Sequence, residues 1–474
     1  MESAKRILLL LACALATAGC NVALGPGYTV KKQQLEARWT GTPELAVRGN
    51  YRLQNAGNVP LDYLDVTLPP DSRRSGLQIS LDGSPVATQP ADALAPAGTV
   101  RIPISPALPL KKKCDLVIEY RLAGSVGDVS ATPSFYLETR GWYPALRERE
   151  GLFGSGGEPP EKWDLRVTVP RDFLVHASGQ QKGRKRRNDL VEHRFRQRTG
   201  KDFDPFVVAG RYQEQKAPSA GAEVILWTFQ PPPESAIRDF GHWVGQTAQQ
   251  YQTTFGTLGE DTRILLIEPP PGIASAPGER KGPFPGGTFL LASEYTPVSG
   301  EDSDFWVRLD ERLALIWFHH GITPVPDARL LFEEGLPRYA ATIAAEAHNE
   351  ISNRAALASN RLAFYEDLGG SDHEPHFFLN SPDTSRERVR YAAAKAPLFF
   401  LALEDRYGKE AIRNALARLV ESLRGRLFNT NDLRVAIQLE TGEDPAEFFR
   451  QWLNQPGIPE DFRKRYEKQG PGSR

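Results

Sequence analysis

Three cysteines in 474 residues leave little scope for covalent crosslinking. Cys13 lies in an apolar N-terminal run, so a processed chain keeps only Cys20 and Cys114, and Cys114 has no partner once Cys20 is consumed as argued below. A chain of this length builds a large core without disulfides, even outside the cytoplasm. Charge of one sign is also missing. Lys+Arg 58 stand against Asp+Glu 59, a balance that gives no reason to expect a nucleic-acid partner. Beyond the first twenty residues no stretch is apolar enough to cross a bilayer as a helix, which takes about 20 residues. By length alone, two to three domains are expected.

The N-terminus carries a short basic start, Lys5-Arg6, then the apolar run Ile7 to Ala16, then Thr17-Ala18-Gly19-Cys20. This is the pattern of a secretory leader ending in a bacterial lipobox. Residues 1–19 are expected to be removed and Cys20 lipidated, giving a body exported to the bacterial envelope, on the periplasmic side of the inner or outer membrane, and held by a lipid tether. Thr17 is a less typical choice at its position, which leaves a plain signal peptide as the alternative.

From Tyr28 to Tyr212 the chain alternates apolar and polar residues in short runs broken by Pro, Gly, Asn and Asp, as in Ala46 to Leu53, Leu64 to Leu68, Cys114 to Tyr120 and Trp163 to Val169. Such period-two runs predict an all-β domain over residues 20–212, an antiparallel sandwich or saddle. Asp82-Gly83 is a hairpin turn signal. Arg184-Lys185-Arg186-Arg187 reads as a solvated hairpin tip, with a polyanion or headgroup patch as the alternative, and Lys111-Lys112-Lys113 is read in the same way. Residues 213–222, with Pro218, Ser219 and Gly221, read as a linker. Residues 223–474 then form a second domain, opening with a strand, a helix from about Ser235 to Phe255 and further strands, and continuing mainly as helices. The fold class expected is therefore α+β and multidomain.

Within the second domain, Trp306, Leu309, Leu313, Ile316, Trp317 and His320 form a helical stripe that by periodicity alone is core. The same helix contains Glu311-Arg312-Leu313-Ala314-Leu315-Ile316-Trp317-Phe318, and Phe332-Glu333-Glu334-Gly335-Leu336-Pro337-Arg338-Tyr339 follows. Near the C-terminus stands Phe448-Phe449-Arg450-Gln451-Trp452, leading to Pro456-Gly457-Ile458-Pro459. Together these resemble landmarks of the aminopeptidase N-like gluzincin family, in its short two-domain form. The resemblance implies a thermolysin-like helical domain, with a small sheet at its start, following an N-terminal β domain.

In that family the first helix carries H-E-x-x-H-x-W-F/W-G. Two imidazoles one turn apart reach one zinc ion, and the glutamate between them polarises a bound water. Aligned on Trp317-Phe318, the resemblance places the histidine positions at Glu311 and Leu315 and the base at Arg312. The third ligand falls on Glu334, nineteen residues after Leu315. Leucine offers no donor, and arginine stays protonated and cannot act as a base. The family's amine-gripping glutamate falls on Phe289, in Gly286 to Leu291. Its oxyanion-stabilising tyrosine falls on Ala393, with Tyr391 two residues away.

The resemblance therefore implies zinc as the family cofactor, but here the ligands are lost and no cofactor is expected. The expected function is a lipid-anchored pseudopeptidase with a binding or scaffolding role, its cleft open to a peptide or protein ligand. The alternative is an active aminopeptidase-like hydrolase with a metal site rebuilt from His319, His320, Glu333 or Glu334, together with His373 and His376. A further expectation is that Arg312 or Arg338 pairs with Glu334, with Glu311 sharing or competing for the guanidinium.

Overall fold

The computed structural model describes residues 27–39, 44–91, 98–123, 134–137, 142–146, 162–198, 205–219, 222–257, 263–268, 288–290, 303–319, 322–325, 328–348, 354–375, 385–423 and 426–467. They form two compact units, which divide between Tyr212 and Gln213.

In the first unit the alternating runs become strands with one buried face. An eight-stranded sheet has the order Gln180–Arg187, Leu190–Arg198, Lys162–Pro170, Tyr28–Arg38, Glu44–Asn55, Lys113–Ala123, Arg74–Leu81, Ser84–Pro85. A four-stranded sheet built on Leu61–Thr67 and Thr99–Leu108 and a three-stranded sheet built on Val207–Gly210 complete the unit. Leu35, Val47, Leu53, Leu116, Ile118 and Leu165 of the large sheet join Leu64, Val66 and Ile102 of the second in one apolar core. Period-two alternation requires this, because every second side chain of a strand points to the same face. The sheet is not wholly antiparallel as expected. Tyr28–Arg38 runs parallel to Lys162–Pro170, two strands far apart in sequence whose pairing no local turn signal encodes. Asp82 and Gly83, at φ 48° and 83°, make the tight turn between Arg74–Leu81 and Ser84–Pro85. The basic run 184–187 is not the hairpin tip: it lies within the exposed edge strand Gln180–Arg187, and the tip is Asn188-Asp189.

The expected linker is corrected in the second unit. Gln213–Ala217 is a strand paired antiparallel with Glu223–Thr228, which continues in parallel through Arg263–Ile267 to Thr288–Leu290. The run Gln-Glu-Gln-Lys reads as linker by composition, yet polar and charged side chains are what an edge strand carries.

The helices of this unit are α1 (Glu234–Phe255), α2 (Ser303–His319), α3 (Leu336–Ala347), α4 (Arg354–Asp367), α5 (Gly370–His373), α6 (Arg386–Tyr407), α7 (Lys409–Ser422), α8 (Thr430–Thr441), α9 (Ala446–Leu453) and α10 (Glu460–Glu467). The cap of α8 is Asn429, whose side chain accepts from Asp432 N while Asp432 accepts from Asn429 N. Residues 313 to 318 of α2 are buried on every side, so its C-terminal half runs through the core as a central rod. Trp317 fixes it there, donating from Nε1 to Gly256 O at 3.0 Å and meeting Tyr251 edge-on. No described helix is long and apolar enough to cross a membrane.

Candidate functional site

The site expected from the sequence is assembled by three helices and one wide turn. α2 presents Glu311, Arg312 and Leu315. α3 is entered through a π-helical turn, Leu331–Gly335, which carries Glu333 and Glu334. Such widened turns displace side chains from helical register and often mark special sites. Gly335 is required in this turn, because a Cβ there would lie 2.5 Å from Ala396 Cβ of α6.

Glu334 faces inward and is 6% exposed. Arg338, one turn further along, donates from Nη1 to Glu334 Oε2 at 2.7 Å and to the Glu334 main-chain oxygen at 2.8 Å. Its Nε lies 3.8 Å from Glu311 Oε2, and the other oxygen of Glu311 is 3.4 Å from Arg361 Nη2 on α4. The four side chains form an alternating chain, Glu334–Arg338–Glu311–Arg361, in which each inner member touches two opposite charges. Burial opposes the charge on Arg338, yet the carboxylates of Glu311 and Glu334 outweigh it and hold this guanidinium above its ordinary range. At Arg361 burial prevails over Glu311 and lowers the pKa.

Of the other sequence candidates, Leu315 is packed in the core at 2% exposure and Arg312 is half-buried beside Glu311. Glu333 turns away from the chain of charges to pair with Arg329 at 3.0 Å. His373 is exposed at the end of the short helix α5, although Pro375 and the surrounding polar residues read as an exposed loop from Gly369 onward. Ala393 lies half-buried inside α6, which starts at Arg386. The hydroxyl of Tyr391 donates to Leu368 O. Cys20, His320 and His376, and the side chains of Phe289 and His319, lie outside the described residues.

Two features carried no sequence signal. Arg361 stands fifty residues from its partner Glu311. Lys395, at 1% side-chain exposure, lies 2.6 Å from Glu374, and Glu374 also accepts from Gly457 N at 2.7 Å. That buried pair fastens the Pro456-Gly457-Ile458-Pro459 segment to α6 with the carboxylate that stands between His373 and His376 in the sequence.

The side chains around Glu334 do not fit a zinc ion. Zinc takes neutral imidazole, thiolate or carboxylate donors in a tetrahedral set. Here both carboxylates are engaged by guanidiniums, and the position one helical turn after Glu311 is an apolar side chain without a donor. Among the described residues no group of three or more His, Cys, Asp or Glu converges.

No family model matches the sequence, and no curated protein does. Solved structures do match. The M1 zinc metallopeptidase of Deinococcus radiodurans superposes with a TM-score of 0.63 at 18% identity, over 92% of this chain and 95% of that one. A mutant of that enzyme bound to a Tyr-Ser-Ala substrate superposes with a TM-score of 0.62 at 18% identity, over 91% and 96%. The chain has the two-domain fold of the M1, aminopeptidase N-like, zinc metallopeptidases: a large N-terminal sheet domain followed by a mainly helical one.

Proposed function

We propose that this chain is a non-catalytic relative of the M1 zinc metallopeptidases, tethered through Cys20 to the bacterial envelope, that uses the fold to bind or scaffold a peptide or protein. The observation that carries the reading is the guanidinium of Arg338 against Glu334. In the aligned register Glu334 is the one ligand position that keeps its residue type, and its carboxylate is met by an arginine of its own helix. A metal ion there would have to displace a charge-assisted contact of 2.7 Å that is also braced by the main-chain oxygen. Arginine at position 312 cannot accept a proton from water, so the aligned base is lost as well.

The residues divide two tasks between them. Arg338 and Arg361 neutralise two carboxylates that are largely shielded from water, a structural role that zinc would otherwise share. Leu315, 2% exposed, puts an apolar side chain where the aligned second histidine would stand. The test is metal analysis of the protein purified without chelator, together with hydrolysis of aminoacyl-anilide substrates and the mass of the mature N-terminus. The reading expects no stoichiometric transition metal, no hydrolysis above background, and an acylated Cys20. A bound metal with turnover would establish the rebuilt hydrolase site instead.

A further inference from the structure

At one corner of the first unit two loops meet beside Gly27, where the described chain begins. Asn55, 1% exposed, ties them together. Its Nδ2 donates to Leu108 O at 2.8 Å and to Val59 O at 2.9 Å, and its Oδ1 accepts from Gly57 N at 3.0 Å. Its main-chain N–H donates to Lys112 O, its carbonyl accepts from Lys111 N, and Ala56 N and Gly57 N both donate to Gly27 O. One buried amide with every polar group engaged makes a rigid frame from two loops that would otherwise be free.

Val59 and Leu110 stand on that frame at 58% and 45% exposure, the exposed large apolar side chains among the described residues of this unit. Each lies two residues beyond a member of the cross-strand pair Leu61 and Leu108, in the two loops that the Asn55 amide joins through Val59 O and Leu108 O. Lys111, Lys112 and Lys113 follow directly and are all exposed. Lys32, also exposed, is carried to the same end by its pairing with Arg52. Of the carboxylates at this end, Asp115 binds Arg52 at 2.8 Å and Asp82 accepts from Asp115 N at 2.7 Å, while Asp62 beside Leu61 is exposed and leaves the lysines in excess. A lone exposed leucine or a lysine turn is ordinary. Here two apolar tips share one rigid corner with a rim of cations.

We propose that this corner is a membrane-docking surface, Val59 and Leu110 entering the interfacial layer of a bilayer and the lysines holding anionic phospholipid headgroups. Apolar tips rimmed by lysine match a boundary that is apolar within and anionic without. A second copy of this chain fits worse, because self-association would bring like charges together. The inference goes beyond the proposed function and rests neither on lost catalysis nor on lipidation. If Cys20 is acylated, the Cys20–Gly27 segment spans about 25 Å at most, which would keep this corner within reach of the bilayer.

The test is co-sedimentation of the processed chain, from residue 20 onward and carrying Cys20→Ser, with vesicles of phosphatidylcholine alone or with added phosphatidylglycerol. Partitioning onto the anionic vesicles is expected, weakening as salt is raised. Replacing Lys111, Lys112 and Lys113 together by Gln should lower it about a hundredfold, about fivefold for each lysine. Leu110→Ser should lower it severalfold, and Arg184→Gln with Arg186→Gln on the far edge strand should leave it unchanged. All of these positions are exposed, so circular dichroism should be unaltered. Absence of binding to anionic vesicles, or binding insensitive to the lysine changes, overturns the proposal. So does loss through the Arg184 and Arg186 variants alone, or a Leu110→Ser variant that alters only the oligomeric state.

Discussion

Arg338 grips Glu334 twice, through the carboxylate at 2.7 Å and the main-chain oxygen at 2.8 Å, while its Nε faces Glu311. Removing one partner of a shielded ion pair costs about 3–5 kcal/mol, because an uncompensated charge is left behind. Arg338→Met should therefore destabilise the protein by about that amount. The double variant Arg338→Met, Glu334→Gln should lose clearly less, since no orphaned charge remains. Denaturant titration of both variants and of Glu334→Gln alone closes the cycle. Additive losses would mean that the pair contributes only packing.

How much of this site could be read from the sequence depends on the range of each contact. Glu334 and Arg338 are four residues apart, so helical spacing alone puts them side by side and makes the arginine a candidate partner. Arg361 is not legible in this way, because a partner fifty residues away on another helix leaves no local pattern. The same holds for the fold. The buried runs Leu64 to Leu68 and Cys114 to Tyr120 announce their strands through alternation. By contrast Gln213–Ala217 has too little apolar character to alternate and owes its structure to the main-chain hydrogen bonds offered by Glu223–Thr228. Glu374 shows the limit most plainly: beside two histidines and Pro375 it reads as part of an exposed loop, with metal ligation as the alternative, but the fold buries it against Lys395.

Acid should weaken the first unit through His193. This imidazole is 3% exposed, its Nδ1 lies 3.2 Å from the amide of Gln181, and its Nε2 has no hydrogen-bond partner among the described residues. Burial, reinforced by Arg184, pushes its pKa down to about 4. A histidine charged at about 6.5 when unfolded but at about 4 when folded favours the native state only while neutral. Its contribution is thus fully present above about pH 6.5 and is lost as pH falls through 4, a change of at most about 3 kcal/mol. His193→Gln should flatten the fall in unfolding free energy between those limits. An unchanged slope would remove His193 as a cause of acid sensitivity.

Rebuilding the metal site tests the aligned register itself. Glu311→His and Leu315→His would place two imidazoles one turn apart on α2, and Arg312→Glu would restore a base between them. The geometry adds a condition that spacing alone does not reveal. Arg338 holds Glu334 and also faces Glu311, so the triple variant keeps a guanidinium where the metal would sit, and zinc affinity should stay weak. Adding Arg338→Ala frees the Glu334 carboxylate and removes the competing charge. The quadruple variant should bind zinc stoichiometrically and more tightly than the triple, and should gain thermal stability when zinc is added, since a ligand that binds only the native state stabilises it by mass action. Leu315→His carries its own cost, because it exchanges a core leucine at 2% exposure for a polar ring. The comparison is therefore between folded variants, with near-ultraviolet circular dichroism as the criterion. A folded quadruple variant without zinc affinity would show that Glu311, Leu315 and Glu334 do not converge as the ligand positions of this fold do, and Glu334 would then be no more than the structural partner of Arg338.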